Sequence, residues 1–541
     1  MKKTILLLVF AICFYTYAIA DEQHHHDSEK LGDIKFSTSC NETAQSQFNR
    51  AVAILHSFGY EEAANAFNGV VKADPDCAMA YWGLAMTYYH PIWAPPKPDE
   101  LQKGSEAIQK AAVTGKPTER EKAYVDALSL FYKDSANVGH MKRAKAYAEA
   151  MHQLAQKYPD DTEATIFYAL ALRGTAPPDD KTYAVQKEAA AILNGVLKKE
   201  PNHPGIAHYL IHSYDYPALA ELALPAARIY SKIASSSPHA LHMPSHIFTR
   251  LGLWQESIDS NRASEASAIE HVRQLHPGAG SFDQLHAMDY LVYAYLQTGQ
   301  DEQAKKVMDE GNTIQKLDQN QFAAAYAFAA IPARYAIERN QWADAAKVQP
   351  APEWFPWKEF PYAEAITYFT RGIGAARSGN LDSAREDLQR LQQLHQATIE
   401  ANDPSYDWGT QVQIQQKTVD AWITFAEKKT DEALEKMRAA ADLEDSTDKH
   451  AVTPWAIIPA RELYADMLME LKRPADALPQ YEKSLAVAPN RFHAMLGVAK
   501  AADASGDKKK AKEYYSKLLK QCIEPCSRPE VSEAKAIMAE K

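Results

Sequence analysis

One spacing constrains this chain more than any other feature: a small or apolar residue, a bulky residue four positions on, and a proline eight positions after that. It recurs as Ala63, Phe67, Pro75; Tyr147, Met151, Pro159; Ala189, Leu193, Pro201; Ala226, Tyr230, Pro238; and Ala477, Tyr481, Pro489. Residues four apart share a helix face, and proline, which lacks an amide donor, ends the helix. A second spacing follows each proline at nine, ten and thirteen residues: Leu84, Ala85, Tyr88; Tyr168, Ala169, Leu172; Leu210, Ile211, Tyr214; Ile247, Phe248, Leu251; and Val498, Ala499, Ala502. That spacing makes one apolar stripe on a following helix.

A helix pair cannot bury its apolar stripe alone, so neighbouring pairs must stack. The expected fold is all-α, a solenoid of antiparallel helix pairs. Weaker copies without the proline continue it at Ala304 with Met308, Ala384 with Leu388, Ala433 with Met437 and Ala511 with Tyr515. Gly299, Gly379 and Gly506 precede three of these by five residues, where a turn between helices needs a permissive backbone. The spacing between prolines is uneven, which marks insertions. One is Tyr89 to Pro98, containing Trp93; another is Pro350 to Pro361, with Trp354, Phe355, Trp357 and Phe360. These aromatics either face a ligand or plug gaps between irregular repeats.

Both spacings together match the tetratricopeptide pattern, with Tyr81, Leu84, Ala85 and Tyr88 the best fit. The stretches Leu55 to Ala64, Asp74 to Met86, His239 to Trp254 and Pro459 to Ala499 resemble a set of exported bacterial tetratricopeptide-repeat proteins. The resemblance implies fold and export, and supplies no catalytic residues. The organisation expected is a signal over 1–20, a leader over 21–36, repeats over 37–349 and further repeats over 350–541.

The N-terminus supports export. Lys2 and Lys3, an apolar run from Ile5 to Tyr17, and Ala18-Ile19-Ala20 have the order of a secretory signal, with cleavage expected after Ala20 and a periplasmic or secreted product. No later segment reads as a membrane span. Loss of Lys2 and Lys3 moves the formal charge from -11 to -13, which repels nucleic acid at long range.

Cys13 leaves with the signal, so four cysteines remain. Cys40 precedes the first helix of the first pair and Cys77 follows the second, and a hairpin brings these points to one end, so a disulfide is expected there in an oxidising compartment. Cys522 and Cys526 are separated by a bend at Pro525 and form a second candidate bridge.

Histidines supply the candidate site. His208 and His212 are one helical turn apart, and His242 and His246 repeat that spacing in the next unit; His286 and Asp289 occupy the unit after that. At 100° per residue, His208, His212 and Asp215 fall on one side of their helix, away from Leu210, Ile211 and Tyr214. First helices of such repeats line a concave groove, so these residues are expected to share one cavity. Three readings stay open: contacts to an organic or peptide ligand, a transition-metal site made by His208, His212, His242 and His246, or structural hydrogen bonds. Pro244 belongs in a first turn and threatens the second pair by placing His242 outside the helix. The run His24, His25, His26, Asp27 is a flexible leader that either catches metal loosely or does nothing specific, the second reading being favoured. No nucleophile elbow, phosphate loop, dinucleotide fingerprint or zinc-hydrolase motif occurs. The sequence therefore reads as a scaffold for a protein or peptide partner in the cell envelope, without a required cofactor; a metal- or small-molecule-binding protein, or an enzyme built from residues distant in sequence, is the alternative.

Overall fold

The computed structural model describes residues 29–539, except 93–94, 179, 404–405 and 527. The expected signal, the His24–His26 run and Trp93 lie outside the described residues. Within them the chain is helix after helix with no strand, only an isolated bridge between Gly280 and Leu317. No described helix is long and apolar enough to cross a membrane.

Each repeat signal lands on a helix pair. Ala63 and Phe67 lie buried on Tyr60–Ala73, and the following helix is Ala78–Met86. Ala226 and Tyr230 lie on Ala220–Ile233, Ala477 and Tyr481 on Pro474–Val487, and the weaker copies on Asp301–Gly311, Leu381–Ala401, Thr430–Asp445 and Lys508–Gln521. Gly299, Gly379 and Gly506 take φ of 72°, 84° and 90°, the left-handed conformation their turns require. One register detail differs. Helix Ala78–Met86 ends before Tyr88, so it is Tyr89, 1% exposed, that enters the core.

Close packing between successive helices requires two glycines that the spacings do not include. A Cβ placed on Gly83 would lie 2.2 Å from the Phe67 ring, and one on Gly497 would lie 2.5 Å from the Tyr481 ring. In both repeats the aromatic of one helix occupies the volume that only glycine leaves open on the other.

Buried apolar residues form one cluster from Phe36 to Phe248, a second from Trp254 to Met467, and smaller ones towards the C-terminus. Residues on both sides of position 350 share the second cluster. The aromatic segment there plugs it: Phe355 is buried with its ring 5.4 Å from those of Phe328 and Phe360, while Trp354 stays partly exposed.

The solenoid winds back on itself. Arg491, fully buried, pairs with Glu338 at 2.9 Å and Glu462 at 2.7 Å and donates to the Tyr293 hydroxyl at 2.9 Å. Trp254 Nε1 donates to the Asn490 carbonyl at 2.9 Å. Helix Phe282–Gln297 is consequently buried on every side from Leu285 onward.

The expected disulfide joins Cys40 and Cys77, with Cα atoms 4.9 Å apart. The second bridge is not formed. Cys522 and Cys526 are free thiols whose Sγ atoms stand 2.7 Å apart, beyond the roughly 2.05 Å of a bonded pair.

Candidate functional site

Helix Pro204–Tyr214 starts on a proline at its first turn, where the missing amide costs nothing, and carries His208 and His212 one turn apart. In the next unit Pro238–His242 and Pro244–Arg250 are joined through Met243 at φ -53°, ψ -35°. The backbone stays helical through the junction, so Pro244 does not spoil the second pair. His242 Nε2 lies 2.9 Å from His246 Nε2, and His212 Nε2 lies 3.1 Å from His208 Nε2.

The four histidines converge, and two more join them. His239 Nε2 lies 3.1 Å from His208 Nε2. The His286 ring is centred 4.1 Å from that of His242. One ring nitrogen from each of His208, His212 and His239 lies within 4.8 Å of the others, and the same holds for His242, His246 and His286. The two sets adjoin through His239 and His242, whose rings are 6.5 Å apart. The spacings did not single out His239, although it stands three residues before His242, on the same side of a helix.

This centre is not an open groove. His208, His212, His242, His246 and His286 are all buried, and His239 is partly buried. The groove expectation fails because helix Pro204–Tyr214 is covered on all sides; on one of them His208 Nδ1 donates to the carbonyl of His56, at the end of Glu42–His56, at 2.7 Å. Burial, followed for most of them by neighbouring imidazoles, lowers the pKa of all six rings and keeps them neutral.

The two carboxylates take different roles. Asp215 accepts from Arg250 Nε at 2.8 Å, His246 Nδ1 at 3.1 Å and Lys449 Nζ at 3.3 Å. Burial alone would raise its pKa, but Lys449 and Arg250 hold it well below the usual range. Asp289 does not face the imidazoles. Three residues beyond His286, it turns to helix Phe322–Ile337 and pairs with Arg334 at 3.0 Å.

A third cluster had no sequence signal, because its members are distant in the chain. Glu163 accepts from His56 Nε2 and His203 Nε2, each at 3.0 Å. Burial disfavours this carboxylate's charge, yet His203 and His56 hold its pKa far below normal.

Beyond Asp215 lies a pocket of about 580 Å³ between residues 181–250 and 326–487. Tyr326, Tyr362, Tyr406, Trp408, His450 and Trp455 line it. Tyr362 stacks on Trp408 at 4.2 Å, Trp408 on His450 at 5.0 Å, and Arg250 sits over Trp455 at 5.5 Å. Lys449 reaches from this wall to Asp215. Burial, then Arg250, pushes its pKa down to about 7, against the pull of Asp215.

The chain matches no curated protein sequence. Among solved structures it resembles yeast Tom70, at 13% identity over 92% of this chain and 96% of that one with a TM-score of 0.33. It also resembles a human IFIT1 dimer with PPP-AAAA, at 12% identity over 87% and 88% with a TM-score of 0.36. Likenesses this loose carry no argument. The tetratricopeptide repeat family matches residues 59–90 and 465–524, the two stretches in which Gly83 meets Phe67 and Gly497 meets Tyr481; the chain therefore carries tetratricopeptide repeats.

Proposed function

We propose that this chain is a helical-repeat scaffold, exported to the periplasm or beyond and cleaved after Ala20, that holds a protein or peptide partner by an apolar anchor side chain in the aromatic pocket. The pocket carries this reading. Its volume suits a few residues of peptide, its stacked rings offer rigid apolar contact, and Arg250 and Lys449 add directional donors. Repeats that stack into a rigid frame serve binding rather than bond-making, and tetratricopeptide repeats are an interaction fold.

The test is capture from a cell-envelope extract by the full chain, compared with a Trp408→Ala, Tyr362→Ala variant. Enrichment of one protein that the variant loses, with intrinsic tryptophan fluorescence changing on binding its peptide, supports the reading. Equal capture by both forms overturns it.

A further inference from the structure

The protons around His242 and His246 can be placed one by one. Asn261 Nδ2 donates to the Ser257 carbonyl at 2.8 Å, so the Asn261 atom facing His242 Nδ1 at 2.6 Å is its oxygen. An amide oxygen only accepts, and His242 therefore carries its proton on Nδ1. His246 Nδ1 faces the Asp215 carboxylate at 3.1 Å and carries a proton for the same reason. Both rings are left with a bare Nε2, and these two lone pairs meet at 2.9 Å. His286, 6% exposed, adds a buried Nε2 with no hydrogen-bond partner.

One proton between His242 and His246 joins that pair and still strands His286 Nε2. A metal ion takes all three. We propose that His242, His246 and His286 bind a transition-metal ion of the zinc class, and that His208, His212 and His239 form a second such site beside it.

Metal–nitrogen bonds of about 2.0–2.1 Å put neighbouring ligand atoms about 2.9–3.4 Å apart; His242 and His246 stand 2.9 Å apart, His208 stands 3.1 Å from both His212 and His239, and the remaining pairs of each trio lie within 4.8 Å. Imidazole donors select zinc, copper or nickel over magnesium and calcium. The supporting shell is also present. Metal-bound histidines normally donate their other nitrogen to a carboxylate or carbonyl, as His246 does to Asp215, His242 to Asn261 and His208 to the His56 carbonyl. The cluster of His56, Glu163 and His203 is different, because a carboxylate already stands between its rings and accepts from both. It is excluded from the proposal. None of the six histidines lines the aromatic pocket, so metal binding and partner capture are read by different variants and can fail separately.

The full chain, untagged, stripped with chelator and with His24, His25 and His26 replaced by alanine, is titrated with Zn²⁺ and with Co²⁺ as an optical probe. Two equivalents bound per chain, visible cobalt bands that zinc displaces, and a higher Tm on loading are expected. A His246→Gln, His286→Gln variant should lose one equivalent, a His208→Gln, His212→Gln variant the other, and His203→Gln neither. Full stoichiometry in the first two variants, or no zinc retained by the parent chain after dialysis, overturns the proposal. Should the double variants fail to fold, X-ray absorption on the zinc-loaded parent decides: three imidazoles around zinc support the sites, and oxygen-only coordination overturns them.

Discussion

Lys449 and His246 share one carboxylate: the Lys449 ammonium lies 3.3 Å from Asp215 Oδ2, the same oxygen that accepts from His246 Nδ1 at 3.1 Å. A wall residue of the pocket and a member of the histidine centre are thus fixed by a single buried acid. The Lys449 pKa of about 7 is far below its unfolded value near 10.5. Between those values the unfolded chain binds more protons, so this residue makes stability rise with pH across that window. Replacing it by methionine should flatten the rise in chemical-denaturation midpoints between pH 7 and 9. An unchanged slope would show that Lys449 is not the group responsible.

Acid should act in the opposite region. The six rings of the centre have lowered pKa values and are neutral when folded, whereas an unfolded chain protonates them below about 6.5. Stability of the metal-free protein is therefore lost as pH falls through 6.5, by about 1.4 kcal/mol per unit for each ring that stays neutral. Thermal unfolding at pH 7.5, 6.5 and 5.5 reads this directly. A flat profile would mean that the rings are solvated or already charged in the fold.

The Cys40–Cys77 bond closes a loop of 37 residues. Cys40→Ser should lower stability by about 3–4 kcal/mol and make Cys77 available to alkylation, while the parent chain shows no free thiol at either position. Quantitative alkylation of both cysteines in freshly isolated protein contradicts the bond.

Tyr230 is fully buried, lies 5.1 Å from the His208 ring and donates to Ser57 Oγ at 3.1 Å. Tyr230→Ala should cost about 3–5 kcal/mol. Hydrogen exchange should loosen in Ala220–Arg250 and, through Ser57, in Glu42–His56, while Pro474–Val487 stays protected. Uniform loosening of the whole chain would mean that the repeats do not act as local units.

Gly83→Ala and Gly497→Ala test the pair packing. Each added methyl meets an aromatic ring well inside contact distance, so each should destabilise by about 1–3 kcal/mol. Gly139, with open space around its Cβ position, is the matched control, and a loss there equal to that at Gly83 would refute the packing explanation.

The helical fold was legible because proline stops and four-residue spacings are local signals: Ala63 with Phe67 and Ala477 with Tyr481 landed where the pattern put them. The convergence of His208, His212, His242 and His246 was legible for the same reason, since equivalent positions of successive repeats point the same way. Their burial was not, because it depends on helix Glu42–His56, more than 150 residues earlier. Asp289 shows the limit of helical phase alone. Its partner Arg334 lies on another helix, and no periodicity announces a buried ion pair. Lys449 and His450 sit after a helix end, in a stretch with no pattern to read, and only the fold carries them to Asp215.

An open stack of helix pairs lengthens under load as a spring does, each junction giving a little. Arg491 removes that freedom here, because its guanidinium is tied to Glu338, Glu462 and Tyr293 at once. Extension of the stretch from Tyr293 to Arg491 would have to tear a buried cation from two acids. The repeats between Tyr293 and Arg491, which carry the pocket wall from Tyr326 to Trp455, are thus closed into a loop rather than left as a free coil.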